Sequence, residues 1–133
     1  RYTPMRRLLV EALAESGRPL TVPEILAHAP GLPQSSVYRN VTTLIDAGVV
    51  RKVATSDDHW RVELAEELSG HHHHLVCGSC GRIEDVPPSP TLEQALRETA
   101  RLVAARTGFV VNEHRLDLVG VCATCDSGER LPD

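Results

Sequence analysis

Four consecutive histidines, His71 to His74, run through Leu75-Val76 into Cys77-Gly78-Ser79-Cys80, and a second Cys-x-x-Cys pair, Cys122 and Cys125, comes near the C-terminus. These residues hold most of the soft metal-ligand capacity of the chain. Each cysteine pair bends back at a knuckle, eased in the first by Gly78 and Gly81. Four thiolates in this arrangement suit a closed, tetrahedral, structural zinc site. The competing uses are a thiol redox pair or disulfides. Against them, no export signal is visible, and paired cysteines in such a chain point to metal in a reducing cytosol. The 41 residues between the pairs exceed a usual zinc-ribbon loop. A helix must therefore be inserted, with the ion tying together both ends of the C-terminal part.

The histidines carry a different chemistry. If residues 71–77 are extended, successive side chains alternate between faces. His71 and His73 then point one way, His72 and His74 the other, so one run can serve two separate sites. Four solvated loop histidines are the bland alternative. Each site needs further ligands. Glu63 lies close upstream, with His59 and Asp58 nearby, so Glu63, His72 and His74 plus one of these would join the two halves of the chain. His71 and His73 can take His114 and Glu93 from the other side. Mixed nitrogen and oxygen donors suit Zn, Fe, Ni or Mn and hold the ion more exchangeably than four thiolates.

The elements that must position these groups begin with a run of helices. Thr3-Pro4 is a helix start, and Leu8, Leu9, Ala12 and Leu13 recur at helical spacing until Gly17 and Pro19. Thr21 caps a second, shorter helix through Ile25 and Leu26. After Leu32-Pro33, Ser35 or Ser36 can cap a third, with Val37, Val41, Leu44 and Ile45 on one face and Ser36, Tyr38, Arg39, Thr42 and Thr43 on the other. Residues 49–54 and 60–64 read as strands joined by a turn. Three helices and a β-hairpin make a winged helix-turn-helix. The third helix would enter the major groove, where Arg39 can bond a guanine bidentately and Ser36, Tyr38 and Thr42 can reach phosphates or base edges. The hairpin, with Arg51, would lie along the DNA backbone. A three-helix domain that binds another protein is the competing use of the same pattern.

The C-terminal half predicts strands at Leu75-Val76 and 83–86, a proline-rich linker over 87–90, and a helix capped by Thr91 that runs to Thr107-Gly108. One or two strands over 109–121 then lead into the second cysteine pair. Two or three strands and one helix bury little alone, so pairing with an identical copy is expected. At 133 residues and 3% aromatics, the cores must be aliphatic. The net charge of −4 hides an asymmetry. Residues 1–56 hold seven Arg/Lys against four Asp/Glu, and residues 57–133 hold seven against fourteen. A basic half facing phosphate and an acidic half doing something else follow from that split. No apolar run approaches the roughly 20 residues needed to span a membrane.

Nearly the whole chain resembles the ferric-uptake-regulator family of bacterial metalloregulators. The resemblance is carried by Arg1-Tyr2-Thr3-Pro4-Met5-Arg6, Ser36-Val37-Tyr38-Arg39-Asn40-Val41, the His71–Cys80 stretch, and Cys122-Ala123-Thr124-Cys125. It implies a cytoplasmic, homodimeric repressor that binds a palindromic operator in double-stranded DNA when a regulatory metal is bound. It also implies structural zinc at Cys77, Cys80, Cys122 and Cys125, a hinge site at Glu63, His72 and His74, and another site at His71, His73, Glu93 and His114. This chain departs from the family's patterns at the hinge. Pro19 stands where iron and peroxide sensors often supply a histidine. Glu63 stands where zinc sensors often use cysteine, and Arg51 where they use aspartate. His59 or Asp58 is left to complete the set.

The expected architecture is α+β. A winged helix-turn-helix with its hinge occupies residues 1–66, and a small α/β dimerisation unit with a four-cysteine zinc site occupies 67–133. The expected function is metal-dependent repression without a small-molecule substrate, the unbroken histidine run tilting the sensed ion towards zinc. Two other classes compete. A zinc hydrolase would use His71, His73 and His114 with an open position, but no paired general base or H-x-E signature accompanies them. A protein-binding winged helix with structural zinc would need no DNA.

Overall fold

A computed structural model describes residues 2–55 and 59–126 of the chain. Three helices open it: α1 (Pro4–Ser16), α2 (Val22–His28) and α3 (Gln34–Asp46). The Thr3 hydroxyl accepts the Arg6 N–H, Pro4 occupies the first turn, and Gly17, at φ 57°, stops α1 in a left-handed conformation. Thr21 and Glu24 form a reciprocal capping box at the start of α2. The Thr21 N–H donates to the Glu24 carboxylate at 2.7 Å, and Arg18 Nη2 holds the other oxygen at 2.8 Å. No serine caps α3. Its N-cap is Pro33, whose fixed, extended backbone sets the entry, and the Ser36 N–H donates to the Pro33 carbonyl at 2.9 Å.

Leu9, Leu13, Leu20, Ile25, Val37, Val41 and Leu44 close one aliphatic core between these helices, with Val50, Val62 and Leu64 of the hairpin beneath them. Each fully buried side chain of this kind contributes roughly 1.5–3 kcal/mol. The hairpin strands β1 (Val50–Val53) and β2 (Arg61–Leu64) pair antiparallel, with Arg51 opposite Glu63. Leu20 adds a bridge to Val62. This is the winged helix-turn-helix expected.

A four-residue helix that the sequence did not signal, α4 (Glu66–Ser69), leads into a three-stranded sheet. Its order is β4 (Ile83–Val86), β3 (His73–Cys77), β5 (Asp117–Gly120), with β4 antiparallel and β5 parallel to β3. The helix between them, α5 (Pro90–Thr107), starts at Ser89-Pro90 rather than at Thr91, because proline at the first helical position fits the free N–H groups there. Residues 109–116 form no strand; Asp117–Gly120 alone pairs, against β3. The buried apolar cluster here is Val76 and Ile83 with Val53 of the wing. This small core therefore reaches back to the hairpin for its third member. No described helix is long and apolar enough to cross a membrane.

Candidate metal centre

The knuckle between β3 and β4 brings Cys77 and Cys80 to one end of the sheet. The parallel strand β5 delivers Cys122 and Cys125 to the same end. The four sulfurs lie within 4.8 Å of one another. Cys80 Sγ and Cys122 Sγ are 3.7 Å apart. A tetrahedral zinc with Zn–S bonds of about 2.3 Å requires sulfur separations of about 3.8 Å, so the donor set fits zinc. Backbone N–H groups, led by that of Cys122 at 3.3 Å, aim at Cys77 Sγ and pull its pKa down to about 6. The neighbouring sulfurs push Cys125 up to about 12, because several thiolates in one place repel without a cation.

On one face of the histidine run, His71, His73, Glu93 and His114 converge. His71 Nε2 lies 3.2 Å from His114 Nε2 and 3.4 Å from Glu93 Oε2. His114 Nε2 is 3.2 Å and His73 Nε2 2.6 Å from the same carboxylate. Zn–N bonds of about 2.0–2.1 Å place tetrahedral ligands about 3.3–3.4 Å apart, close to most of these separations. His71 Nδ1–H donates to Glu66 at 3.2 Å, which leaves the lone pair on Nε2 for the cluster. His73 Nδ1 is the buried side-chain polar atom without a partner among the described residues. His114 comes from the unpaired stretch before β5, not from a strand.

On the other face Glu63, His72, His74 and Asp85 converge. His72 Nδ1–H donates to the Gly70 carbonyl at 2.8 Å, and His74 Nδ1–H to Asp117 at 3.2 Å. Both rings therefore turn Nε2 towards Glu63 Oε2, at 3.2 Å and 2.9 Å. A neutral imidazole nitrogen and a carboxylate oxygen are both acceptors; only a proton or a cation between them is favourable. Burial alone would raise Glu63, but the hydrogen bond and charge of His74, with Arg51 and His72, hold its pKa at about 2. Burial alone would lower His74, and the Glu63 and Asp117 carboxylates outweigh that and raise it. Burial raises Asp85, which stands 3.9 Å from His72 and 4.0 Å from His74.

Asp85 takes the place that sequence reasoning gave to His59 or Asp58. His59 lies four residues before Glu63, roughly 13 Å away along an extended chain. Its carbonyl binds Thr55 and Arg61, and its ring is outside the cluster. Asp58 lies outside the described residues. The signal for Asp85 was present: an antiparallel hairpin folded about Cys77–Cys80 sets His74 opposite Asp85.

On α3, Tyr38, Arg39 and Thr42 are exposed and Ser36 is half-buried. The Thr42 hydroxyl bonds the Tyr38 carbonyl. Tyr38 packs on Trp60 with ring centroids 5.8 Å apart, and Lys52 Nζ sits 4.5 Å over that indole. The helix and the wing thus share one aromatic–cationic surface, in which Trp60 and Lys52 were missed. Arg51, expected towards DNA, turns inward instead and binds Glu63 and Glu66. Two carboxylates, Glu63 across the hairpin and Glu66 at the start of α4, outcompete solvent for its guanidinium.

The ferric uptake regulator family model matches residues 1–119. The chain belongs to this family. Members are DNA-binding, metal-responsive transcription regulators, not enzymes, and they bind operator DNA as dimers. The peroxide operon regulator of Bacillus subtilis is 30% identical over 97% of this chain and 86% of its own length. The peroxide-responsive repressor PerR of Staphylococcus aureus is 32% identical over 94% of this chain and 82% of its own. Among solved structures, a zinc-bound manganese uptake regulator superposes with a TM-score of 0.68 at 30% identity, covering 92% of this chain and 90% of that one. The Helicobacter pylori ferric uptake regulator, described with three functional metal binding sites, gives 0.73 at 25% identity, over 97% and 85%.

Proposed function

We propose that the chain is a homodimeric, metal-dependent repressor that holds a palindromic operator when an ion fills the cluster of Glu63, His72, His74 and Asp85. The observation that carries this reading is where Glu63 stands. It belongs to wing strand β2, whereas His74 and Asp85 belong to β3 and β4 and His72 just precedes β3. An ion bound there ties the winged helix to the C-terminal sheet, and so sets the orientation and spacing of the two recognition helices in a dimer. The cysteine cluster is a permanent structural zinc site. His71, His73, Glu93 and His114 form a second divalent-ion site. For the hinge, two imidazoles and two carboxylates suit zinc, with iron, nickel and manganese as competitors.

Apolar side chains left exposed on α5, β5 and the residues around it support the dimer. Leu102, Val103, Phe109, Val110, Leu118 and Val119 all face solvent in the single chain, a patch that a second copy would cover. The acting compartment on this reading is the bacterial cytoplasm.

His74→Ala tests the assignment. Zinc at the cysteine cluster and the circular dichroism stay unchanged, and added metal no longer tightens binding to a palindromic duplex. A variant that responds to metal like the parent rejects the hinge site. On the DNA side, Arg39→Ala is expected to weaken specific binding by about 1–3 kcal/mol, and unchanged discrimination removes Arg39 from base readout.

A second reading is peroxide response. It is favoured by the names of the Bacillus and Staphylococcus relatives and by the two hard carboxylate donors, which suit iron. Here the iron-loaded protein releases DNA on treatment with hydrogen peroxide while the zinc-loaded protein stays bound. Retention in both states removes this reading.

A further inference from the structure

Arg51 divides the Glu63 carboxylate between two uses. Its Nε contacts Glu63 Oε1 at 2.5 Å and its Nη1 contacts Glu66 Oε1 at 3.0 Å. The strand register places Arg51 directly opposite Glu63, so the ion pair is built into the hairpin. The other oxygen, Oε2, is the one that both hinge histidines face. The Glu63 side chain is only 6% exposed. Rotating it to offer both oxygens to an ion would therefore strip the guanidinium of a buried partner, a costly exchange.

Two imidazoles and two carboxylates can present six donor atoms, enough for an octahedral ion. With Oε1 held by Arg51, the protein can present no more than five. Zinc is content with four and expands to five, whereas manganese is served best by a fuller, oxygen-rich, octahedral shell. We propose that Arg51 is a specificity-determining residue of the hinge cluster: by holding Oε1 it confines Glu63 to one-oxygen ligation and biases the site towards zinc over manganese. This rests on the reading of the hinge cluster as the regulatory metal site. A mere charge effect is separable from it, because a nearby positive charge weakens every divalent ion alike and leaves their ratio unmoved.

The test uses the full-length protein with zinc in the cysteine cluster, in a His114→Ala background that weakens the second cluster. Zinc and manganese affinities are measured by chelator competition for this protein and for its Arg51→Met and Arg51→Lys derivatives. Cobalt(II) absorption reports coordination number. With Arg51 present, the hinge cobalt bands are intense, as for four- or five-coordination. Arg51→Met weakens them and lowers the zinc-to-manganese affinity ratio by about tenfold or more. Arg51→Lys keeps the charge, but a flexible ammonium lacks the rigid planar fork that fixes Oε1 of Glu63 while also holding Glu66, so the ratio also falls. It decides the matter alone should Arg51→Met fail to fold. Unchanged ratios and spectra overturn the inference and leave the hinge site standing. If the protein with Arg51 takes up no ion at the hinge, the regulatory-site reading falls with it.

Discussion

Leu9, Leu20, Ile25, Val37, Val41 and Val62 are all fully buried in the winged helix, whereas α5, 18 residues long, buries none. Beyond the wing, the sheet contributes only Val76 and Ile83 to an apolar cluster among the described residues, completed by Val53. The first region is held by the hydrophobic effect acting within one chain. The second lacks the buried area to offset its conformational entropy. It has instead three convergent sets of metal-ligating side chains, one of them completed by Glu63 of the wing, and an uncovered apolar surface. One region can be rigid at all times, while the other depends on what binds it. That division suits a protein whose DNA-reading part is constant and whose geometry is adjustable.

Removing a sulfur should separate the two regions most strongly. Structural zinc sites supply on the order of 10 kcal/mol of folding free energy, so Cys122→Ala is expected to unfold the C-terminal sheet and dissociate the dimer. Amide exchange in α1 and α3 should stay slow. Uniform loss of protection along the chain would mean that the winged helix does not stand by itself. The converse experiment is Ile25→Ala. Emptying a fully buried site costs about 2–5 kcal/mol, lowering the melting temperature of the helices while the cysteine-bound zinc content holds. Loss of zinc in that variant would merge the two regions into one cooperative unit.

A smaller effect is expected at the uncovered surface. Leu118→Asp should raise the dimer dissociation constant by about 10- to 100-fold, roughly 1.4–2.8 kcal/mol, read by sedimentation, with monomer fold intact. No change would place the dimer contact elsewhere. The smallest effect belongs to the cap of α2. Hydrogen bonds from Thr21 and Arg18 outweigh burial and hold Glu24 below its ordinary pKa. A depressed carboxylate contributes fully above its unfolded value and loses that contribution as pH falls through its folded one. Glu24→Gln should therefore cost about 0.5–1 kcal/mol near neutrality, and the gap from the parent should close in acid. A gap independent of pH would assign the cap to geometry instead of charge.

Much of this was readable from residue order. The helix caps at Thr3 and Thr21, the aliphatic faces of α1 and α3, and the cysteine pairs all rest on local chemistry, where neighbours in sequence decide. Period-two alternation was enough to separate His71 and His73 from His72 and His74. Features set by partners distant in sequence were not readable in the same way. Asp85 joins the histidines through strand register, and Arg51 turns inward because Glu63 lies across the hairpin and Glu66 opens α4 beside it. Trp60 meets Tyr38 of α3 only when the wing folds back beside that helix. Of the one or two strands expected over 109–121, Asp117–Gly120 alone pairs, against His74–Cys77 of β3.

On the proposed function, an ion at Glu63, His72, His74 and Asp85 controls the grip on DNA. The decisive quantity is operator affinity of the dimer with the cysteine cluster filled, before and after a mild chelator empties the hinge. Emptying the hinge is expected to weaken binding by about 100-fold, a coupling near 3 kcal/mol, and operator DNA should in turn tighten the ion by the same factor. Equal operator affinity with the hinge filled and empty would contradict the proposal.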